Sequence, residues 1–490
     1  MSCGENDPNF PLYDPLHKLY HHFWQAHLAT PPGAGPVIGH AVSADLVRWA
    51  HMPVALWNDE AYDSVAIYTG SATLVNGVPT FVYPGLCTKA AWPACGTGTL
   101  LAVAVPADHA GDPLLTNWSK PAYNPIVEDA ERDPSTAWQT PAGEWRMTNY
   151  EGEIFSSPDF IHWARPADGG KPFPRAECPD FFPVPGPCAH KSCSAPPPAG
   201  FAPTHVHKRS YGDKHPDGGD YYTFGVWADG AAGASGTWAP YNTSDARGLA
   251  LDASKYVVDG HRTFYAAKSF FDSAGAPGGR RIYYGWAVVK PASTQTLPRV
   301  TTYHAALQRL IFEPLPELAG LRGAPLFSGA PSLPAGGAVV SLSAGWARGA
   351  GNTSEARLSF ALPPTSASFA VRVWGDRAAP GSFHDLVFAF DAATFTASVA
   401  WAAAGGPPAG TADVPLLRGD TAVDVALFID NTFAEAFVME GRVALTLALD
   451  GVADAALGLY ANGTAVDAAA DVWPLAPIWT TAPAVLAARR

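Results

Sequence analysis

DLVRWAHMP (45–53) returns as LLTNWSKP (114–121) and as DFIHWARP (159–166): an apolar residue, two spacers, a tryptophan, one spacer, then a basic residue or histidine. The tryptophans are Trp49, Trp118 and Trp163, 69 and 45 residues apart. Around them lie short runs of alternating, aromatic or β-branched residues. PVIGHAVS (36–43), GDYYTFGVWADG (219–230), RTFYAAKSFFD (262–272) and RRIYYGWAVV (281–289) read as strands. SVAIYTGSATLVNGVPTFVYPG (64–85) reads as a hairpin turning at Asn76-Gly77. A tryptophan recurring at unequal intervals among short strands points to propeller blades with loops of different length.

Composition agrees with an all-β protein. The 490 residues are 48% hydrophobic, 12% aromatic and 15% charged, with 47 glycines and 47 prolines. Such punctuation leaves little room for long helices, and the length allows two or more domains. A net charge of −13 argues against nucleic acid, whose phosphates need a basic surface, and favours a neutral small ligand. No apolar run is long enough to span a bilayer, so no membrane partner is expected.

Six cysteines offer two local pairs, Cys87 with Cys95 and Cys188 with Cys193, that would close small loops in an oxidising compartment. The absence of a CxxC pair argues against a zinc site built on cysteines. Sequons at Asn117, Asn242, Asn352 and Asn462 point mildly towards secretion. No signal-peptide pattern is visible.

The character of the chain changes after FEPLPELAGLRG (312–323), a stretch suited to one short helix opened by proline. Beyond it, alanine-rich alternating segments such as ASFAVRVWG (367–375), HDLVFAFD (384–391) and AVDVALFID (422–430) read as a β-sandwich. The expected organisation is a propeller over 1–311, a linker over 312–325 and a sandwich over 326–490. GPCAHKSCSAPPPAG (186–200) reads as a proline-rich surface loop.

Three acidic clusters remain. NDPN (6–9), ERDPS (131–135) and RAECPDFFPVPG (175–186) carry Asp7, Asp133 and Glu177. Alone, each reads as a turn or a loop acid. Together, in this order, they resemble the signatures of family 32 glycoside hydrolases, the plant-type acid invertases and their fructan-processing relatives. HHFWQAH (21–27), GHAVSADLVRWAHMPVAL (39–56), YTGSAT (68–73), FYAAKSFFD (264–272), RRIYYGWA (280–287), QTLPR (295–299) and DNTFAEAFVMEGR (430–442) extend the resemblance over nearly the whole chain. It implies a five-bladed β-propeller followed by a β-sandwich, and a retaining β-fructofuranosidase acting on sucrose and short fructans.

Under that resemblance Asp7 is the nucleophile, Glu177 the acid and then the base, and Asp133 the stabiliser of the transition state. Asp7 must be ionised, with Asn6 and backbone N–H groups as donors. Glu177 must hold a proton, which burial and the charges of Asp7 and Asp133 favour. Arg132 is expected to keep Asp133 charged. Asn6, Gln25, Trp49, Ser71 and Arg132 are the candidate substrate contacts, and Cys178 is expected to be a structural thiol beside the acid.

No metal or organic cofactor is implied. The partner is a small carbohydrate, the oligomeric state is not readable, and the resemblance implies a secreted, cell-wall or vacuolar location. Some positions depart from the family pattern. Only MSCGE precedes NDPN, as if a strand were missing or the sequence began late. Phe10 replaces a common glycine, and Ala176 a common tryptophan, whose loss would open the pocket. Asp213, Lys214 and Asp217, in the loop 211–222, are candidate specificity residues. The alternatives are a fructosyltransferase or fructan exohydrolase of the same fold, an arabinan-cleaving propeller, and a catalytically impaired sugar-binding homologue.

Overall fold

The computed structural model describes residues 4–28, 35–96, 98–194, 196–212, 218–231, 233–241, 256–260, 263–275, 278–408, 410–449 and 452–489. Asp213, Lys214, Asp217 and the sequon at Asn242 lie outside the described residues. The architecture is a β-propeller followed by a β-sandwich, and five sheets form the first part.

Blade 1 comprises β1 (Gly4–Asp14), β2 (Leu19–His27), β3 (Val37–Ser43) and β4 (Trp49–His51) in meander order. Blade 2 holds β5 (Ala66–Ile67), β6 (Ser71–Val75), β7 (Val78–Leu86), β8 (Thr99–Pro106) and β9 (Trp118–Ser119). Blade 3 holds β10 (Trp138–Gln139), β11 (Trp145–Thr148) and β12 (Ile154–Ser157), extended by a bridge from Ser156 to Ala164. Blade 4 holds β13 (Glu177–Pro183), β14 (His205–Tyr211), β15 (Gly219–Ala228) and β16 (Thr237–Pro240). Blade 5 holds β17 (Phe264–Asp272), β18 (Arg280–Ala287), β19 (Thr294–Gln295), β20 (Arg299–His304) and β21 (Arg309–Pro314).

The tryptophan repeat is a blade-edge turn. Its indole N–H donates to the carbonyl three residues back: Trp49 to Leu46 at 3.0 Å, Trp118 to Leu115 at 2.9 Å and Trp163 to Phe160 at 3.0 Å. Those three acceptor residues have φ of 63°, 49° and 68°. Asp45, Asp112 and Asp159 accept the turn's backbone N–H groups. The expected hairpin also forms, Val75 pairing with Val78 across Asn76 and Gly77, both at positive φ.

The stretch 312–323 contains a 3₁₀ helix, Pro316–Leu321, opened by Pro316. The sandwich follows with β22 (Phe327–Gly329), β23 (Ser332–Leu333), β24 (Val340–Ser341), β25 (Thr353–Ala361), β26 (Ala367–Trp374), β27 (Phe383–Asp391), β28 (Thr396–Ala403), β29 (Gly410–Val414), β30 (Ala422–Asp430), β31 (Phe433–Val438), β32 (Val443–Ala448), β33 (Ala456–Asn462) and β34 (Val466–Pro474). One sheet carries seven of these strands and the other six. Phe360 of β25 stacks on Phe369 of β26 at 4.9 Å, joining the two sheets through a common core. The helix α1 (Ala482–Ala488) returns to blade 1, where Val485 packs on Leu19, Val42 and Ala50.

Buried polar contacts lock the sandwich to blade 5. Arg299, fully buried, donates from Nη2 to Asp259, to Glu435 of β31 and to Thr446 of β32, each at 2.8 Å. Glu435 also accepts the N–H of Leu297 at 2.6 Å. Beside this joint lies a cavity of about 440 Å³, lined by Glu5, His22, Trp24, Trp49, Phe428 and Trp479 among others. Cys87–Cys95 and Cys188–Cys193 are disulfides, as their spacing suggested.

Candidate active site

Bulges in three strands build the site. β1 shifts register between Glu5 and Pro8 and between Asn9 and Leu12, β13 between Glu177 and Asp180, and β17 between Tyr265 and Lys268. Phe10, Cys178 and Ala266 within these bulges have φ of 45°, 46° and 52°. Left-handed backbone costs a non-glycine residue roughly 1–2 kcal/mol, and bulges re-aim side chains beside active sites. Asp133 shares the conformation, with φ 61°.

Phe10 therefore sits in a backbone conformation that suits the glycine of the family pattern. Packing holds it there. Its ring stacks on Phe81 at 4.1 Å, and a Cβ at Gly70 would come within 2.4 Å of it. Asn9 ties the same point to blade 2, its Oδ1 accepting the N–H of Gly70 at 2.6 Å while its Nδ2 donates to the Asp7 carbonyl at 3.1 Å.

The three acids meet around Cys178. Its thiol stands 3.7 Å from Asp7 Oδ2 and 3.9 Å from Asp133 Oδ2, and its backbone N–H donates to Asp133 Oδ2 at 3.0 Å. Glu177 precedes it directly. The Thr69 hydroxyl donates to Asp7 Oδ2 and receives Gln25 Nε2 at 2.8 Å. Glu177 accepts Arg132 Nη2 at 2.8 Å on one oxygen and the Tyr265 hydroxyl on the other.

Burial dominates the electrostatics. It pushes the Asp7 carboxyl up, the Thr69 and Cys178 donors opposing and the charge of Glu177 adding to the rise. It pushes Asp133 up to about 7, against the pull of Arg132, the Cys178 N–H and Lys268. The Cys178 thiol is held far above its usual range by burial and by Asp133 and Asp7, so it is a neutral donor and not a nucleophile.

Several expected roles change. Asp7's side-chain donors are Thr69 and Cys178 rather than Asn6, whose backbone carbonyl instead receives Gln295 Nε2 at 2.6 Å. Arg132 gives its hydrogen bond to Glu177 and approaches Asp133 only at 3.8 Å. Gln25 reaches Asp7 through Thr69. Ser71 is buried, donating to the Pro134 carbonyl at 2.7 Å and accepting Lys268 Nζ at 2.9 Å, so it fixes the Asp133 loop and has no hydrogen left for a sugar.

The structure places Trp49 away from the acids. It lies on β4, the far edge of blade 1 from β1, and its indole is buried in the cluster shared with the sandwich. The space at Ala176 is not open either, since Ala176 is buried against Tyr211 and Tyr221. Thr69, Tyr265 and Lys268 were not singled out from the sequence, though each lies within a family-like stretch.

A profile of the glycosyl hydrolases family 32 N-terminal domain matches residues 5–311. The chain belongs to glycosyl hydrolase family 32. As a family 32 glycoside hydrolase it is 29% identical to acid β-fructofuranosidase 2, vacuolar, of a Rosa hybrid cultivar, over 96% of this chain and 79% of that one. It is 33% identical to a fructan 1-exohydrolase of Hordeum vulgare, over 65% of this chain and 53% of the relative, so this second match spans about half of that protein. Fructan 1-exohydrolase IIa from Cichorium intybus has the same fold, with a TM-score of 0.75 at 22% identity over 98% of this chain and 99% of that one.

Proposed function

We propose that this family 32 chain is a retaining β-fructofuranosidase that releases fructose from sucrose and short fructans. The observation carrying the reading is the meeting of Asp7, Asp133 and Glu177 around Cys178. The Asp7 carboxylate attacks C2 of the fructosyl unit as Glu177 protonates the departing glycosidic oxygen. Glu177 then takes a proton from water, which attacks C2 and frees Asp7. Retaining chemistry needs the two carboxyl groups about 5–5.5 Å apart.

Each neighbour has a part in this scheme. Thr69 and Cys178 favour the ionised form of Asp7, which burial opposes. Asp133 accepts fructose hydroxyls and meets the positive charge developing at C2. Tyr265 and Arg132 fix the carboxyl of Glu177 in place.

The substrate class rests on the names of the relatives, a vacuolar β-fructofuranosidase and a fructan 1-exohydrolase, and the first of these names favours a vacuolar location. Among the described residues no helix is long and apolar enough to cross a membrane. The test is product analysis with sucrose and with inulin. Glucose and fructose in equal amounts from sucrose are the expected result. A dominant trisaccharide at high sucrose would replace the hydrolase with a transferase, and an inert wild type would leave a sugar-binding protein.

A further inference from the structure

We propose that Asp14, His17 and His109 form a binding site for a first-row divalent cation, best suited to Zn²⁺, that joins blades 1 and 2 away from the acid cluster. Asp14 ends β1 and His17 lies in the turn to β2. His109 lies in the β8–β9 connection of the next blade. One ligand atom from each residue falls within 4.8 Å of the other two. His109 Nε2 is 3.1 and 3.2 Å from the two oxygens of Asp14. The two imidazoles stand at 90° with centroids 5.4 Å apart, the ring of His17 held by a 2.6 Å contact from its Nε2 to the His109 carbonyl.

The buried carboxylate argues for a cation here. Asp14 is fully buried, and among the described residues its side-chain partners are His109 and the N–H of Leu16 at 3.0 Å, with no lysine or arginine. A carboxylate so placed is stabilised by a positive charge. His17 and His109 are only partly buried, which leaves a path for an ion and its remaining water ligands. Two imidazoles with one carboxylate suit Zn²⁺ and its neighbours, whereas Mg²⁺ and Ca²⁺ prefer oxygen donors.

Both chain segments are already rigid. Asp14 caps its own turn, and in the partner loop Asp108 accepts the Gly111 N–H at 2.9 Å while Ala107 N–H donates to Asn117 at 2.9 Å. Seven residues of strand separate Asp14 from Asp7, roughly 20 Å at about 3.3 Å per residue. The ion would therefore act on stability and take no part in glycoside cleavage.

The test uses the whole untagged chain, stripped with a chelator and kept free of reductant so that Cys188–Cys193 stays closed. Titration calorimetry with Zn²⁺ and visible absorption with Co²⁺ read binding, and thermal unfolding reads stability. One equivalent should bind, raise the unfolding temperature and leave sucrose turnover unchanged. His17→Gln and His109→Gln should each weaken binding at least about tenfold. Both positions are partly exposed, so these variants should fold and isolate the loss of a ligand from a loss of structure. Absence of stoichiometric binding, or affinity unchanged in either histidine variant, would overturn the site.

Discussion

Asp133→Asn should make the protein more stable at neutral pH while disabling it. The residue is 3% exposed, and burial lifts its pKa from an ordinary 3.8 to about 7. Between those values the folded protein holds a proton that the unfolded chain has released. Stability therefore falls as pH rises through this window and levels off above it. A gap of about three units at 1.36 kcal/mol each is worth about 4 kcal/mol. The cations Arg132 and Lys268, left less well matched in the variant, reduce the net gain to about 2–4 kcal/mol.

Asparagine keeps the shape and can still accept the Cys178 N–H, and it carries no charge to desolvate. Urea unfolding followed by tryptophan fluorescence at about pH 4.5 and about pH 8 reads the effect. The advantage of the variant over wild type should be 2–4 kcal/mol larger at the higher pH, on the order given by the shift. Hydrolysis of sucrose should fall by about 10²-fold or more, as for loss of a transition-state stabiliser. A difference in stability that is the same at both pH values would refute the reasoning.

Asp7→Asn and Glu177→Gln should each lower kcat for sucrose at least about 10³-fold with unchanged circular dichroism, the combined size of covalent and acid–base catalysis. Tyr265→Phe removes a hydrogen bond to Glu177 and should lower kcat about 10–100-fold with little change in KM, the worth of a bond to a charged group. Arg299→Met leaves Glu435 and Asp259 without their shared cation and should destabilise the protein by about 3–5 kcal/mol in urea unfolding.

The candidate acids stand out in the sequence because each sits in a short, characteristic setting: NDPN, RDP and EC. Three of the five blades were legible because their edge turns reuse one lock, an indole N–H on the carbonyl three residues back. The same lock explains the double reading of Trp49. A tryptophan that recurs for turn geometry also matched a family stretch, and only its place on β4 separates the two readings. Thr69 and Tyr265 could not be found by local reasoning. They meet Asp7 and Glu177 from 62 and 88 residues away, and the bulge at Tyr265 carries no composition signal. Ser71 lies against the loop of Asp133, but its role there depends on Lys268, 197 residues on.

The central claim is that Asp7 carries the fructosyl group before an acceptor takes it. Letting methanol compete with water during sucrose cleavage traps that transfer as a stable product, whose anomer NMR identifies. Wild type should give methyl β-fructofuranoside, and Asp7→Asn should give no product. The α anomer, or undiminished turnover without the Asp7 carboxylate, would contradict it.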